Sequence, residues 1–123
     1  MKQLKDPVYG YINVDDEYIP LIDTAEFQRL RNIRQTGYQA LYPSALHNRF
    51  VHSFGVFHLG GKAFHCFKEN VREADFPEYR NVNWDKLRKS FLLACLLHDV
   101  GHSPFSHTGE EYYKRSTDFM AEF

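Results

Sequence analysis

WDKLRKSFLLACLLHDVGHSPFSH, residues 84–107, is the stretch on which the fold turns. Its apolar positions recur at helical spacing: Leu87, Phe91, Ala94 and His98 fall on one face, with Leu92, Cys95, Leu96 and Asp99 beside it. The pattern predicts a helix from about Trp84 to Val100, closed by Gly101 in the usual C-terminal position. Ser103 then caps a further helix, with Pro104 at its first position, where a missing N–H does no harm. An imidazole and a carboxylate directly after Ala94-Cys95-Leu96-Leu97 are costly beside a core unless both are used. A carboxylate in that position must be paired or coordinate a metal. At a helix end the backbone no longer holds strict helical geometry, so His98 and Asp99 can turn toward one ion.

Working backward, Phe50, Phe54, Phe57, Gly61 and Phe64 step by four, three, four and three along a helix of about 49–69, a bulky apolar stripe. Gly55, Gly60 and Gly61 lie inside it, and each costs about 1 kcal/mol relative to Ala. Such penalties point to close helix–helix approach. His52 sits near the start of this helix, with its side chain leaning toward the N-terminal end. It meets the end of the 84–100 helix if the two pack antiparallel.

Upstream, Asp23 or Thr24 can cap another helix, with Glu26 in its first turn and Gly37 as its stop. Phe27, Leu30 and Ile33 should face the core, whereas Gln28, Arg31 and Gln35 share a polar face. Residues 1–19 predict extended structure: a turn at Asp6-Pro7 beside Gly10, then alternating apolar positions, as in a short hairpin. Residues 38–48, with Pro43, form a loop ending at a cap, Ser44 or Asn48; residues 70–83, with Pro77, form another. The expected fold class is all-α, with a small β-hairpin at the N-terminus.

The net charge of −1 gives no general pull toward nucleic acid or an anionic membrane. Residues 1–20 lack a charged-then-apolar signal segment. The longest apolar run, Phe91 to Leu97, is far short of the roughly 20 residues of a spanning helix. Cys66 and Cys95 are not in a CxxC spacing and are expected to be reduced core thiols of a cytoplasmic protein.

His102 and His107 flank the Gly-Ser-Pro turn after His98-Asp99, and random composition rarely places three histidines so. Imidazole nitrogen and carboxylate oxygen together suit iron, zinc or manganese. His47, His58 and His65 lie outside the pattern, and His58 and His65 are expected on a flank or at the surface.

These motifs resemble the HD superfamily of metal-dependent phosphohydrolases and, within it, the deoxynucleoside triphosphate triphosphohydrolases. The resemblance runs through DPVYG at 6–10, IDTAEFQRLR at 22–31, HNRFVHSFGV at 47–56 and the His-Asp stretch at 98–107. It implies an HD-domain helical core and three metal ligands, His52, His98 and Asp99, for a divalent ion (iron, manganese, zinc or magnesium). It implies that Arg49 grips substrate phosphates and that Gln35 contacts substrate. It implies that His102 and His107 face the triphosphate and assist attack. Glu110 falls where the family has an acidic residue near the attacking water, although some members carry Asp there. Asp23, Gln28 and Arg31 match residues that read an activating guanine nucleotide in the animal enzyme of the family. The implied reaction is attack at the α-phosphorus of a dNTP, releasing deoxynucleoside and intact triphosphate.

The family's fourth ligand is an Asp far downstream, and Asp118, too close behind the turn, is read as a surface residue. Residues 1–123 are therefore expected to be the N-terminal portion of an HD domain, 1–19 extended and 20–123 helical. Alone, this portion is expected to bind metal weakly, turn over little substrate and form homo-oligomers that cover the Phe50/Phe54/Phe57/Phe64 stripe. Two other classes share the same residues: an HD scaffold acting as a binding or regulatory module, and an HD phosphodiesterase. The 22–31 motif favours the triphosphohydrolase over the phosphodiesterase.

Overall fold

The computed structural model describes residues 1–36, 47–71 and 75–103. The chain opens with β1 (Lys2–Asp6) and β2 (Gly10–Val14), paired antiparallel with Leu4 opposite Ile12 and Asp6 opposite Gly10. The Asp6 carboxylate accepts the amides of Val8 (2.8 Å) and Tyr9 (3.0 Å), which closes the turn. Gly10 follows at φ 78°, a left-handed conformation that suits glycine. Strand alternation puts Ile12 and Val14 into the core.

Helical structure begins earlier than the sequence pattern suggests. A 3-10 turn, Asp16–Tyr18, leads into α1 (Ile19–Ile22), with Pro20 in its first turn. Thr24 caps α2 (Ala25–Gln28), its hydroxyl accepting the Phe27 amide at 3.3 Å. The expected single helix does not continue past this point. It tightens to a 3-10 turn, Arg29–Asn32, and Ile33 is extended. The cause is tertiary: the Ile33 carbonyl accepts the Arg49 amide at 2.7 Å, and Arg34 forms a bridge with Asn48. Gln35 consequently leaves the face shared by Gln28 and Arg31, while Phe27, Leu30 and Ile33 are buried as their spacing predicts.

Asn48 caps α3 (Arg49–Asn70) by accepting the Val51 amide at 3.0 Å. Asn83 caps α4 (Trp84–Leu97) through the Lys86 amide at 3.2 Å. The two helices pack antiparallel. Phe64 meets Trp84 and Phe91 at one end, Gly60 meets Cys95 midway, and the His52 and His98 rings lie 5.3 Å apart at the other.

Four expectations need correction. The inward face of α4 is Leu92 and Leu96 (1% and 0% exposed), whereas Leu87 and Phe91 are each 40% exposed and Ala94 is also at the surface. The aromatic stripe of α3 is not left uncovered: Phe54, Phe57 and Phe64 are buried, with Phe50 half-buried against Phe27 and Phe54. Cys66 is exposed and Cys95 half-buried, so only Cys95 is near the core. α4 ends at Leu97, not at Val100. There His98 Nδ1 takes the Cys95 carbonyl at 2.8 Å, and the next amides form turns, Val100 to Leu97 and His102 to Asp99.

His65 is exposed, and His58 is half-buried against the Tyr9 ring. The stop at Gly37, the loop at Pro43 and Ser44, the helix at Pro104, and Asp118 lie outside the described residues. Among the described residues, no helix is long and apolar enough to cross a membrane.

Candidate metal centre

His52 stands in the first turn of α3, and His98 and Asp99 follow the last turn of α4. Each offers a ligand atom, and the three atoms lie within 4.8 Å of one another. Asp99 Oδ2 is the hub, with Arg49 Nη1 at 3.0 Å, His98 Nε2 at 3.2 Å and His52 Nε2 at 3.4 Å.

Proton accounting tests whether this group suits a cation. The Cys95 carbonyl can only accept, so His98 Nδ1 carries a proton and Nε2 is the ring nitrogen left to face Asp99 Oδ2. Two acceptors facing at that distance need a proton or a metal ion between them. On the other ring, the Gln35 amide nitrogen Nε2 lies 3.0 Å from His52 Nδ1, and a half-turn of the amide exchanges it for the oxygen. The two ends of an amide are isosteric, and with its oxygen toward the ring Nδ1–H donates and Nε2 is left for a metal. Burial lowers the His52 pKa below its ordinary value; Asp99 opposes the shift, and His98 and Arg49 add to it. A neutral imidazole is the ligating form. Two such nitrogens and one carboxylate oxygen fit a divalent transition metal and leave open coordination positions.

Arg49 is only 5% exposed and donates to Asp99 and, at 3.2 Å, to the Gln35 carbonyl. It therefore stands beside the Asp99 carboxylate, whose charge it offsets. Gln35 serves His52, 17 positions away, in place of the polar face that its spacing suggests. His102 is half-buried on the turn after Asp99, its Nδ1–H donating to the Ser103 carbonyl at 3.0 Å. His107 and Glu110 lie outside the described residues. A cavity of about 640 Å³ adjoins His52 and Gln35, walled by Tyr9, Val51, Val56 and Leu59.

Asp23, Gln28 and Arg31 gather in a separate place. Gln28 donates to the Ile22 carbonyl and accepts from Arg31 Nε, each at 2.8 Å, and the Arg31 guanidinium lies 3.9 Å above the Phe50 ring. All three line a cavity of about 410 Å³ together with Lys2 and Phe50. Sequence reasoning missed Arg29, which crosses to the end of α4 and donates to the Val100 carbonyl at 2.6 Å. No local pattern identifies that partner.

The HD domain model matches residues 49–122, and the chain belongs to the HD domain family. It is similar to the deoxynucleoside triphosphate triphosphohydrolase SAMHD1 of Homo sapiens, 42% identical over 108 residues, covering 87% of this chain and 16% of the human one. The SAMHD1 homolog of Dictyostelium discoideum is 38% identical over 112 residues, covering 90% of this chain and 20% of that one. An uncharacterised protein of Methanocaldococcus jannaschii is 41% identical over 111 residues, with 89% and 21% covered. The chain thus spans about a fifth or less of the length of these relatives.

Proposed function

We propose that this chain forms part of a metal-dependent phosphohydrolase acting on deoxynucleoside triphosphates. The observation that carries the reading is the convergence of the ligand atoms of His52, His98 and Asp99 within 4.8 Å, with both Nε2 atoms near Asp99 Oδ2. The similarity to deoxynucleoside triphosphate triphosphohydrolases supports the choice of substrate.

In this proposal His52 Nε2, His98 Nε2 and Asp99 Oδ2 hold a divalent ion; the Cys95 carbonyl keeps His98 in the ligating tautomer, and Gln35, with its amide turned oxygen-first, does the same for His52. When bound, the ion polarises a phosphoryl oxygen and acidifies water for attack. Arg49 offsets negative charge in a half-dry site, on Asp99 and on the incoming phosphates alike. His102 and His107 are assigned to the triphosphate, its leaving oxygen included, and Glu110 to the attacking water. Gln35 is assigned to the substrate edge of the cavity as well as to His52. Asp23, Gln28 and Arg31 are assigned to a regulatory guanine nucleotide: Arg31 stacked on Phe50 and the nearby Lys2 give its cavity an aromatic wall and cationic groups.

The test is product analysis with the whole protein, Mn²⁺ and each dNTP, resolved by anion-exchange chromatography. Deoxynucleoside with tripolyphosphate is expected. Orthophosphate with a nucleoside diphosphate would mean another reaction class. Cleavage of cyclic nucleotides or RNA ends in place of dNTPs would favour the phosphodiesterase reading, and no turnover of any of these would favour a binding module.

A further inference from the structure

Several carbonyls at the end of α4 and in the turn behind it have partners close in sequence. Cys95 O is taken by His98 Nδ1, Leu97 O by the Val100 amide and Asp99 O by the His102 amide, all within a few residues. The Val100 carbonyl is different. It accepts from Arg29 Nη2 at 2.6 Å, across 71 positions of sequence. Arg29 closes the C-terminal end of α2, where the 3-10 turn Arg29–Asn32 begins. Its side chain therefore reaches from one layer of the fold to the segment that displays His98, Asp99 and His102. Position and charge both suit it: a guanidinium near a helix C-terminus meets orphan carbonyls and the negative end of the helix dipole.

We propose that Arg29 is a positioning residue of the metal centre, tethering the Asp99–Gly101 turn so that Asp99 Oδ2 stays close to both imidazoles, 3.2 Å from His98 Nε2 and 3.4 Å from His52 Nε2. This rests on the reading of His52, His98 and Asp99 as metal ligands. The three bonds inside the turn set its shape, and none of them says where it stands relative to His52 on α3. Arg49 reaches the Asp99 carboxylate from the α3 side, and Arg29 holds the backbone one residue further on from the α2 side. Between them they anchor the turn at two points. The 3-10 turn that carries Arg29 also carries Arg31 to the cavity around Phe50, so the two sites share one short backbone segment.

Two substitutions in the whole protein test the tether. Arg29→Met keeps the aliphatic stem and removes every donor; Arg29→Lys keeps the charge on a shorter, single-headed group. Hydrogen–deuterium exchange of the metal-free protein and Mn²⁺ titration by calorimetry are the readouts. Arg29→Met should speed exchange selectively in residues 98–103 and weaken Mn²⁺ binding about tenfold, the usual lower bound for losing a group that supports a ligand. Arg29→Lys should weaken binding about threefold, between the parent and Arg29→Met. Unchanged exchange in 98–103 with affinity within about twofold of the parent would overturn the proposal. So would faster exchange spread evenly through the chain without a change in affinity, the mark of a merely structural residue. Should Arg29→Met not fold, Arg29→Lys decides: parental exchange and affinity there overturn the tether. A parent protein that binds no Mn²⁺ would refute the metal reading instead, while exchange in 98–103 still reports whether Arg29 holds the turn.

Discussion

A Cβ added at Gly60 would stand 2.6 Å from the Cys95 Sγ. This is the close approach of α3 and α4, and it sets how near their far ends bring His52 and His98. Gly60→Ala gains about 1 kcal/mol of helix propensity, against about 1–3 kcal/mol for overpacking. The net effect in the parent should be destabilising. In a Cys95→Ala background the sulfur is gone, and the same change should stabilise by about 1 kcal/mol. Urea denaturation of the four proteins in this cycle measures the reversal of sign; additive effects would mean the two positions do not clash.

Asp99 and Arg49 form an ion pair at 3.0 Å, with side chains only 13% and 6% exposed. Asp99→Asn removes the charge that balances a buried guanidinium and should cost about 3 kcal/mol, as when one partner of a buried pair is lost. Its Mn²⁺ affinity should fall at least tenfold as well. His98 is more exposed, at 37%, so His98→Asn should lose comparable affinity with a much smaller change in stability. Thermal melts and metal titrations of the two variants separate ligand loss from core damage.

The metal-free protein should lose stability as acid is added, and His52 should contribute to the loss. Burial lowers its folded pKa below the ordinary 6.5, so the unfolded chain takes up the proton first. Stability therefore falls as pH drops below about 6.5 and levels off once pH passes the lowered folded value. His52→Gln should flatten this part of the curve, measured by denaturant titration at a series of pH values. An identical slope in the variant would assign the acid sensitivity to other groups.

The two thiols should differ sharply in reactivity. Cys66 is exposed, whereas Cys95 is half-buried against Gly60, and its burial raises the thiol pKa. Iodoacetamide at mild alkaline pH should label Cys66 rapidly and Cys95 slowly, with denaturant making the rates equal. Peptide mass spectrometry over a time course gives both rates, and equal rates in the folded protein would place Cys95 at the surface.

Much of the architecture was readable from the order of residues because it depends on near neighbours. Thr24, Asn48 and Asn83 each cap a helix through an amide three residues ahead, and the Asp6–Gly10 turn is built from its own side chain and backbone. The burial of Phe27, Leu30, Phe54, Phe57 and Phe64 follows from helical spacing, and the glycines of α3 announced a close neighbour. The His-Asp pair after an apolar helix likewise marked the candidate metal centre, since two such groups beside a core require partners.

Contacts between distant residues decided the rest. Backbone pairing with 47–49 drew Ile33–Gln35 out of the expected helix, and Gln35 moved to His52, 17 positions on. Packing against α3 turned Leu92 and Leu96 inward in place of Leu87 and Phe91. Arg49 found Asp99 across 50 positions, and Arg29 found the Val100 carbonyl across 71. Periodicity and capping report energies within one or two turns of chain, where the geometry is nearly the same in every protein. A guanidinium has many possible acceptors in sequence, and only packed helices leave it one within reach.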